Sequence, residues 1–91
     1  MRSSGTTAIA TSSAAAVVAL AADPDGHADH EVMIVNGAVA GFVSIDNQRT
    51  WCRLPASVTL IFDLRHKPHN AAVYIKRDGA TDVVGVYVAA Y

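Results

Sequence analysis

From residue 30 to residue 91 the chain is a succession of short β-tending runs, each closed by turn-forming residues, and this spacing constrains the fold more than any other feature. His30 to Val35 ends at Asn36-Gly37, a pair suited to positive φ in a tight hairpin turn, and Ala38 to Ile45 answers it. Asp46-Asn47-Gln48 closes that second run. Thr50 to Arg53 then leads to Leu54-Pro55-Ala56, where proline interrupts regular pairing. In Ser57 to Asp63, Val58, Leu60 and Phe62 alternate with Thr59, Ile61 and Asp63, which predicts the first three on the core side. After the loop Arg65 to Asn70, the run Ala71 to Lys76 sets Ala71, Val73 and Ile75 against Ala72, Tyr74 and Lys76, and Asp78-Gly79 marks another turn. The last run, Val83 to Ala90, sets Val84, Val86 and Val88 against Gly85, Tyr87 and Ala89. No helical period competes over this stretch. Six or seven short antiparallel strands predict an all-β chain, a small antiparallel β-sandwich of jelly-roll or Ig-like type.

Ninety-one residues are one domain. Hydrophobic residues are 52% of the chain, but 17 of them are Ala and 12 are Val, so the core is expected to be thin. Leu, Ile, Val and Phe still make up about a quarter of the residues, above the range where disorder is the default. The single Cys52 excludes an internal disulfide, and no structural zinc cluster is evident. Assembly with copies of itself or with a larger partner is the remaining general device by which so small a domain supplements its core. A net charge of −1 supplies no field that would draw the chain onto nucleic acid or an anionic membrane.

The first 22 residues admit two readings. Arg2, the apolar run Ala14 to Ala22 and the small residues Leu20-Ala21-Ala22 ahead of Asp23-Pro24 fit a secretory signal with its cleavage site. The Ser/Thr-rich stretch Thr6 to Ser13 and the pair Val17-Val18 favour instead an uncleaved extended segment, preferred here over a short helix across 13–22. The apolar run is less than half the roughly 20 residues that span a bilayer as a helix. The expected organisation is an amino-terminal arm or edge strand over 1–22 and a β-sandwich over 23–91.

Little in the sequence points to catalysis. Asp23-Pro24-Asp25-Gly26-His27-Ala28-Asp29-His30-Glu31 is dense in metal-ligating types, yet it lacks the spacing and flanking helices of a calcium-binding EF-hand and reads as a solvated turn. The pairs His27/His30 and His66/His69 would surround zinc only if their loops met, which spacing does not show; exposed turn histidines are the simpler account. Cys52, between Trp51 and Arg53, has the character of a small packing residue, with no oxyanion site or orienting group to make it a nucleophile. Ser12, Ser13 and Ser57 lack a nucleophile-elbow context, and the six glycines form no phosphate-binding loop. The chain is read as a non-enzyme with no cofactor and no metal.

The order of segments carries a resemblance. Thr6 to Leu20, then Glu31-Val32-Met33-Ile34-Val35-Asn36, then Ala40-Gly41-Phe42-Val43-Ser44-Ile45 is similar to small β-sandwich virion proteins of tailed bacteriophages. Leu54-Pro55-Ala56 before Val58 to Phe62 resembles their Leu-Pro-Ala-Gly step into a strand, and Ala71 to Ile75 with Val86-Tyr87-Val88 resembles their closing hairpin. The likeness covers nearly the whole chain and rests on composition and strand order. It implies a capsid decoration or cement subunit, or a head-fibre or tail component, on the virion, with the capsid surface favoured. The implied partners are the major capsid protein or other virion proteins, and the implied state is a homo-oligomer, with a trimer favoured. In that setting Ile9, Val17 and Val18 of the arm and the aromatic residues Trp51, Tyr74, Tyr87 and Tyr91 are the candidate partner-binding residues. Two other classes stay open: a secreted or periplasmic β-sandwich that binds a glycan or protein and loses 1–22 as its signal, and a phage-encoded inhibitor of host defence.

Overall fold

The computed structural model describes residues 2–3, 16–68, 70–78 and 86–91, and these form eight strands and no helix. In chain order they are β1 (Arg2–Ser3), β2 (Val17–Leu20), β3 (Glu31–Val35), β4 (Gly41–Ser44), β5 (Cys52–Leu54), β6 (Thr59–Asp63), β7 (Val73–Arg77) and β8 (Tyr87–Ala90). They make two four-stranded sheets, ordered β1-β8-β3-β6 and β2-β7-β4-β5, and every pairing is antiparallel. The molecule is an antiparallel β-sandwich, as the turn spacing predicts.

Four of the pairings are nested: β1 with β8, β2 with β7, β3 with β6, β4 with β5. That is one long hairpin, with its tip between β4 and β5, rolled until β3 meets β8 and β4 meets β7. The result is jelly-roll connectivity. Only β4 and β5 pair with a sequence neighbour, and the other connections pass from one sheet to the other.

This explains where the local turn reading departs from the structure. Asn36-Gly37 does not close a hairpin, because β3 and β4 lie in different sheets. The buried Asn36 fastens a crossover instead. Its Nδ2 donates to the carbonyls of Val39 (3.0 Å) and Pro55 (2.7 Å), its Oδ1 accepts from Gly37 N–H (2.9 Å), and its own N–H donates to Val58 O (2.9 Å). Likewise β7 and β8 are not hairpin partners: β7 pairs with β2 and β4, and β8 with β1 and β3. The predicted turn at Asp78-Gly79 extends beyond the described residues. Local turn chemistry is the same whether a chain doubles back in one sheet or crosses to another, so periodicity alone does not separate the two.

Between the sheets lie Val32 and Ile34 of β3, Val43 of β4, Leu54 of β5, Val73 and Ile75 of β7 and Val88 of β8, all essentially without solvent contact. Leu60 and Phe62 pack against this core, as their phase in the 57–63 run predicts. So does Cys52, opposite Val43 in the ladder. Ile34, Leu54 and Ile75 are the largest fully buried side chains, so the core among the described residues is thin.

Candidate interaction surfaces

Residues directly opposite in an antiparallel ladder share a face, so the register sorts every strand residue inward or outward. On the β1-β8-β3-β6 sheet, Val32 and Ile34 point in, while Met33 and Val35 point out with their partners Ile61, Thr59, Ala89 and Tyr87. The outer face therefore carries an apolar row. Ile61 is 60% exposed and Val35 37%, Met33 and Tyr87 are half-buried, and Ala89 is fully buried. Glu31 and Asp63 face each other at one end of the row. The Arg65 guanidinium grips the Asp63 carboxylate there (Nη2–Oδ2 2.8 Å), and the Arg65 N–H adds a 3.0 Å bond, which together bring the Asp63 pKa down to about 2. The same pairing raises the Arg65 pKa.

The outer face of the other sheet is different in kind. Phe42 lies opposite both Lys76 and Arg53, and Tyr74 lies opposite Val18 and Ser44. Lys76 Nζ sits 4.3 Å from the Trp51 ring centre and 5.5 Å from that of Phe42, with the Arg53 guanidinium 5.6 Å from Phe42 on its way to Asp78 (2.7 Å). Cations over aromatic faces are attracted by the ring quadrupole. At the margin of this sheet, Ser44 Oγ donates to Asp46 Oδ1 (2.8 Å) and accepts from Gln48 N–H (2.9 Å). The Thr50 N–H is the main cause of a lowered Asp46 pKa; burial opposes it, and the Ser44 hydroxyl lowers it further. The turn holds Asn47 and Gln48 at φ of 59° and 68°.

At one end of the sandwich the Arg2 side chain enters between the sheets. Its Nε and Nη2 donate to Asp29 Oδ2 (3.0 and 2.7 Å), Nη2 also reaches Ala71 O (2.6 Å), and Nη1 reaches Ala21 O. One guanidinium thus ties β1 to the segment after β2 and the segment before β7. Sequence reading gave Arg2 no structural part, since nothing local foretells a partner 27 or 69 positions away.

Beside it the turn after β2 lies under Asn70, whose Oδ1 accepts from Asp23 N–H (2.7 Å) and whose Nδ2 donates to Asp23 O (2.8 Å). Asp23 Oδ1 accepts from Asp25 N–H, the main cause of its lowered pKa; partial burial opposes this, and His27 Nδ1, 3.3 Å from Oδ2, lowers it further. Asp23, Asp25 and His27 each offer a ligand atom within 4.8 Å of the others, on the rim of an open depression of about 650 Å³. Among the described residues neither His30 nor His66 joins that group, and His69 lies outside them.

The candidate partner-binding residues do not form one patch. Val18 (50% exposed), Tyr74 and Trp51 share the aromatic-cationic face, whereas Tyr87 lies on the other sheet's outer face. Tyr91 (48% exposed) is anchored just beyond β8 by backbone bonds to Glu31. Val17 turns inward against the core, and Ile9 lies outside the described residues. Sequence reading missed Met33, Val35, Ile61 and Phe42. The signal for Ile61 was present, as a large aliphatic residue in the outward phase of the 57–63 run. No protein-family model, curated protein or solved structure matches this chain.

Proposed function

We propose that the chain is a non-catalytic structural subunit of a bacteriophage virion, a decoration or cement protein that acts by docking on the particle. The observation that carries this reading is the outward apolar row Met33, Val35, Ile61 and Tyr87, in which Ile61 and Val35 are exposed among the described residues, on a domain whose largest fully buried side chains are Ile34, Leu54 and Ile75. An enzyme needs a concave site where reacting groups converge; a cement subunit needs a face that gains burial on assembly. Jelly-roll connectivity is compatible with it, by analogy of fold alone, since it recurs in viral capsid domains as well as in lectins and cupins. In this reading the major capsid protein, or another virion protein, covers the row.

The test is sedimentation of native material followed by electron microscopy. The chain is expected to travel with particles at a fixed ratio to the capsid protein and to appear as ordered surface density. Recovery only as a free small protein would overturn the reading.

A second reading, a glycan- or protein-binding module, is favoured by the Phe42, Trp51 and Tyr74 face, because aromatic rings beside charged groups are common recognition surfaces. It is tied to the signal-peptide account of 1–22. Cleavage after Ala22 would take away β1, β2 and the counter-ion of Asp29. The mass of the native amino terminus distinguishes the two.

A further inference from the structure

We propose that β6 is a pairing edge through which two copies of this chain join, antiparallel and about a two-fold axis at Ile61, so that two four-stranded sheets become one of eight. The backbone groups that β6 leaves over decide which side of it can pair. Asn36 N–H donates to Val58 O (2.9 Å) and Leu64 N–H to His30 O (2.7 Å), which fixes the phase of the β3–β6 ladder. Residues 58, 60, 62 and 64 turn their N–H and C=O toward β3. Thr59, Ile61 and Asp63 turn theirs away, and among the described residues no strand pairs with that side.

An unpaired edge is a template for another strand, and proteins usually blunt it with proline, lysine, a bulge or shortness. Among the described residues the other three edges are blunted. β1 has two residues, β2 shifts register between Val18 and Leu20, and β5 has three residues with Arg53 held across to Asp78. β6 runs five residues in unbroken register, Thr-Leu-Ile-Phe-Asp, with neither proline nor lysine.

The occupant follows from the strand's own symmetry. Antiparallel pairing of β6 with a second β6 centred on Ile61 sets Ile61 against Ile61, Leu60 against Phe62, and Thr59 against Asp63. All three residues with free backbone groups then fall opposite one another in hydrogen-bonded positions, so each such pair exchanges two bonds. Leu60 and Phe62 extend the inner apolar layer, and the two Ile61 side chains, each 60% exposed in the single chain, cover one another on the outer face. The Thr59 hydroxyl is placed to donate to the Asp63 carboxylate across the axis. A net charge of −1 per chain opposes the pairing very little. Five residues a side fall short of a standard interface of about 800 Å² per partner, so the pair should form in a concentration-dependent way. A two-fold contact closes on itself, and the stoichiometry is two, not the three implied by the virion resemblance.

Sedimentation of the full chain over a range reaching about millimolar tests this: the mass should rise from one chain to two, and Ile61→Lys should weaken the association at least about tenfold. A single chain at every concentration, a limiting mass other than two, or an association unchanged in Ile61→Lys would overturn the proposal. A second measurement is independent of how that variant folds. In a Cys52→Ser background a short bis-maleimide should link Ile61→Cys into dimers in high yield and Val18→Cys, on the other sheet, in low yield. Equal yields would overturn it. Both experiments use the chain alone, so their failure leaves the virion reading standing, and failure of that reading leaves the edge contact standing.

Discussion

Replacing Arg2 tests whether an internal ion pair, and not apolar bulk alone, holds the open end of this sandwich. The Arg2 and Asp29 side chains are 11% and 7% exposed, so Arg2→Met leaves a carboxylate facing the sheet interior without its counter-ion and two carbonyls, of Ala21 and Ala71, without their donor. Breaking a buried pair on one side costs about 3–5 kcal/mol, against about 0–1 kcal/mol for an exposed pair. In a domain of this size, where each kcal/mol moves the midpoint by about 4–8 °C, the melting temperature should fall by roughly 12–40 °C. The assay is urea unfolding of four proteins: wild type, Arg2→Met, Asp29→Leu and the double variant. Because Met and Leu together leave no uncompensated charge, the double variant should be less destabilised than Arg2→Met, with a coupling of about 2 kcal/mol. Strict additivity, or a loss below about 1 kcal/mol in Arg2→Met, would refute the argument and return Arg2 to the status of a surface cation.

Three further predictions test other parts of the fold. Asn36→Ala removes the donor shared by the Val39 and Pro55 carbonyls and the acceptor of Gly37 N–H, and should cost about 1–3 kcal/mol, read as a lower urea midpoint at unchanged slope. Ser57 holds φ of 56°, so Ser57→Gly should raise stability by about 0.5–1 kcal/mol while Ser57→Ala gains nothing, as read by thermal unfolding. The Asp63 carboxyl should titrate by ¹³C NMR with a midpoint of about 2, returning toward 3.8 in Arg65→Ala. The folded-state pKa is the lower one, so this group favours the fold above about pH 4 and loses its contribution as pH falls toward about 2. Both partners are exposed, so added salt should shrink the effect.

What was legible in the sequence was whatever is decided over a few residues. The alternation of Leu60 and Phe62 against Ile61 put the right side chains inward, and Val73 with Ile75 did the same. Pro55 and the Asp46-Asn47-Gln48 cluster marked real interruptions. What was not legible depends on contacts between distant residues. The nested order joins β1 to β8 and β2 to β7 across most of the chain, and a turn at Asn36-Gly37 has the same composition whether it leads back or across. Ser57 lies between these cases. Pro55-Ala56 marks a turn there, but nothing in the local composition announces that Ser57 takes the left-handed backbone that glycine adopts more readily.

The same topology bears on how a thin core suffices. In a rolled hairpin each crossover must be fastened to the sheet it reaches, or the two layers are joined only by small aliphatic contacts. Here the fastening is polar. Asn36 binds the β3–β4 crossover to the segments beside β5 and β6, Arg2 joins β1 to the segments flanking β2 and β7, and Asn70 clamps the turn after β2. Each anchor satisfies backbone groups that would otherwise lose hydrogen bonds on leaving water, so it stabilises the fold by avoiding a desolvation cost and not by adding apolar area. Such anchors hold the inside of the molecule and leave its exterior unchanged. The outward row along β3 and β6, and the edge of β6 that no strand among the described residues pairs with, are untouched by any of them. A chain built this way can fold with a thin core and still present apolar surface and open backbone in one place, and those are the two properties that assembly with another subunit requires.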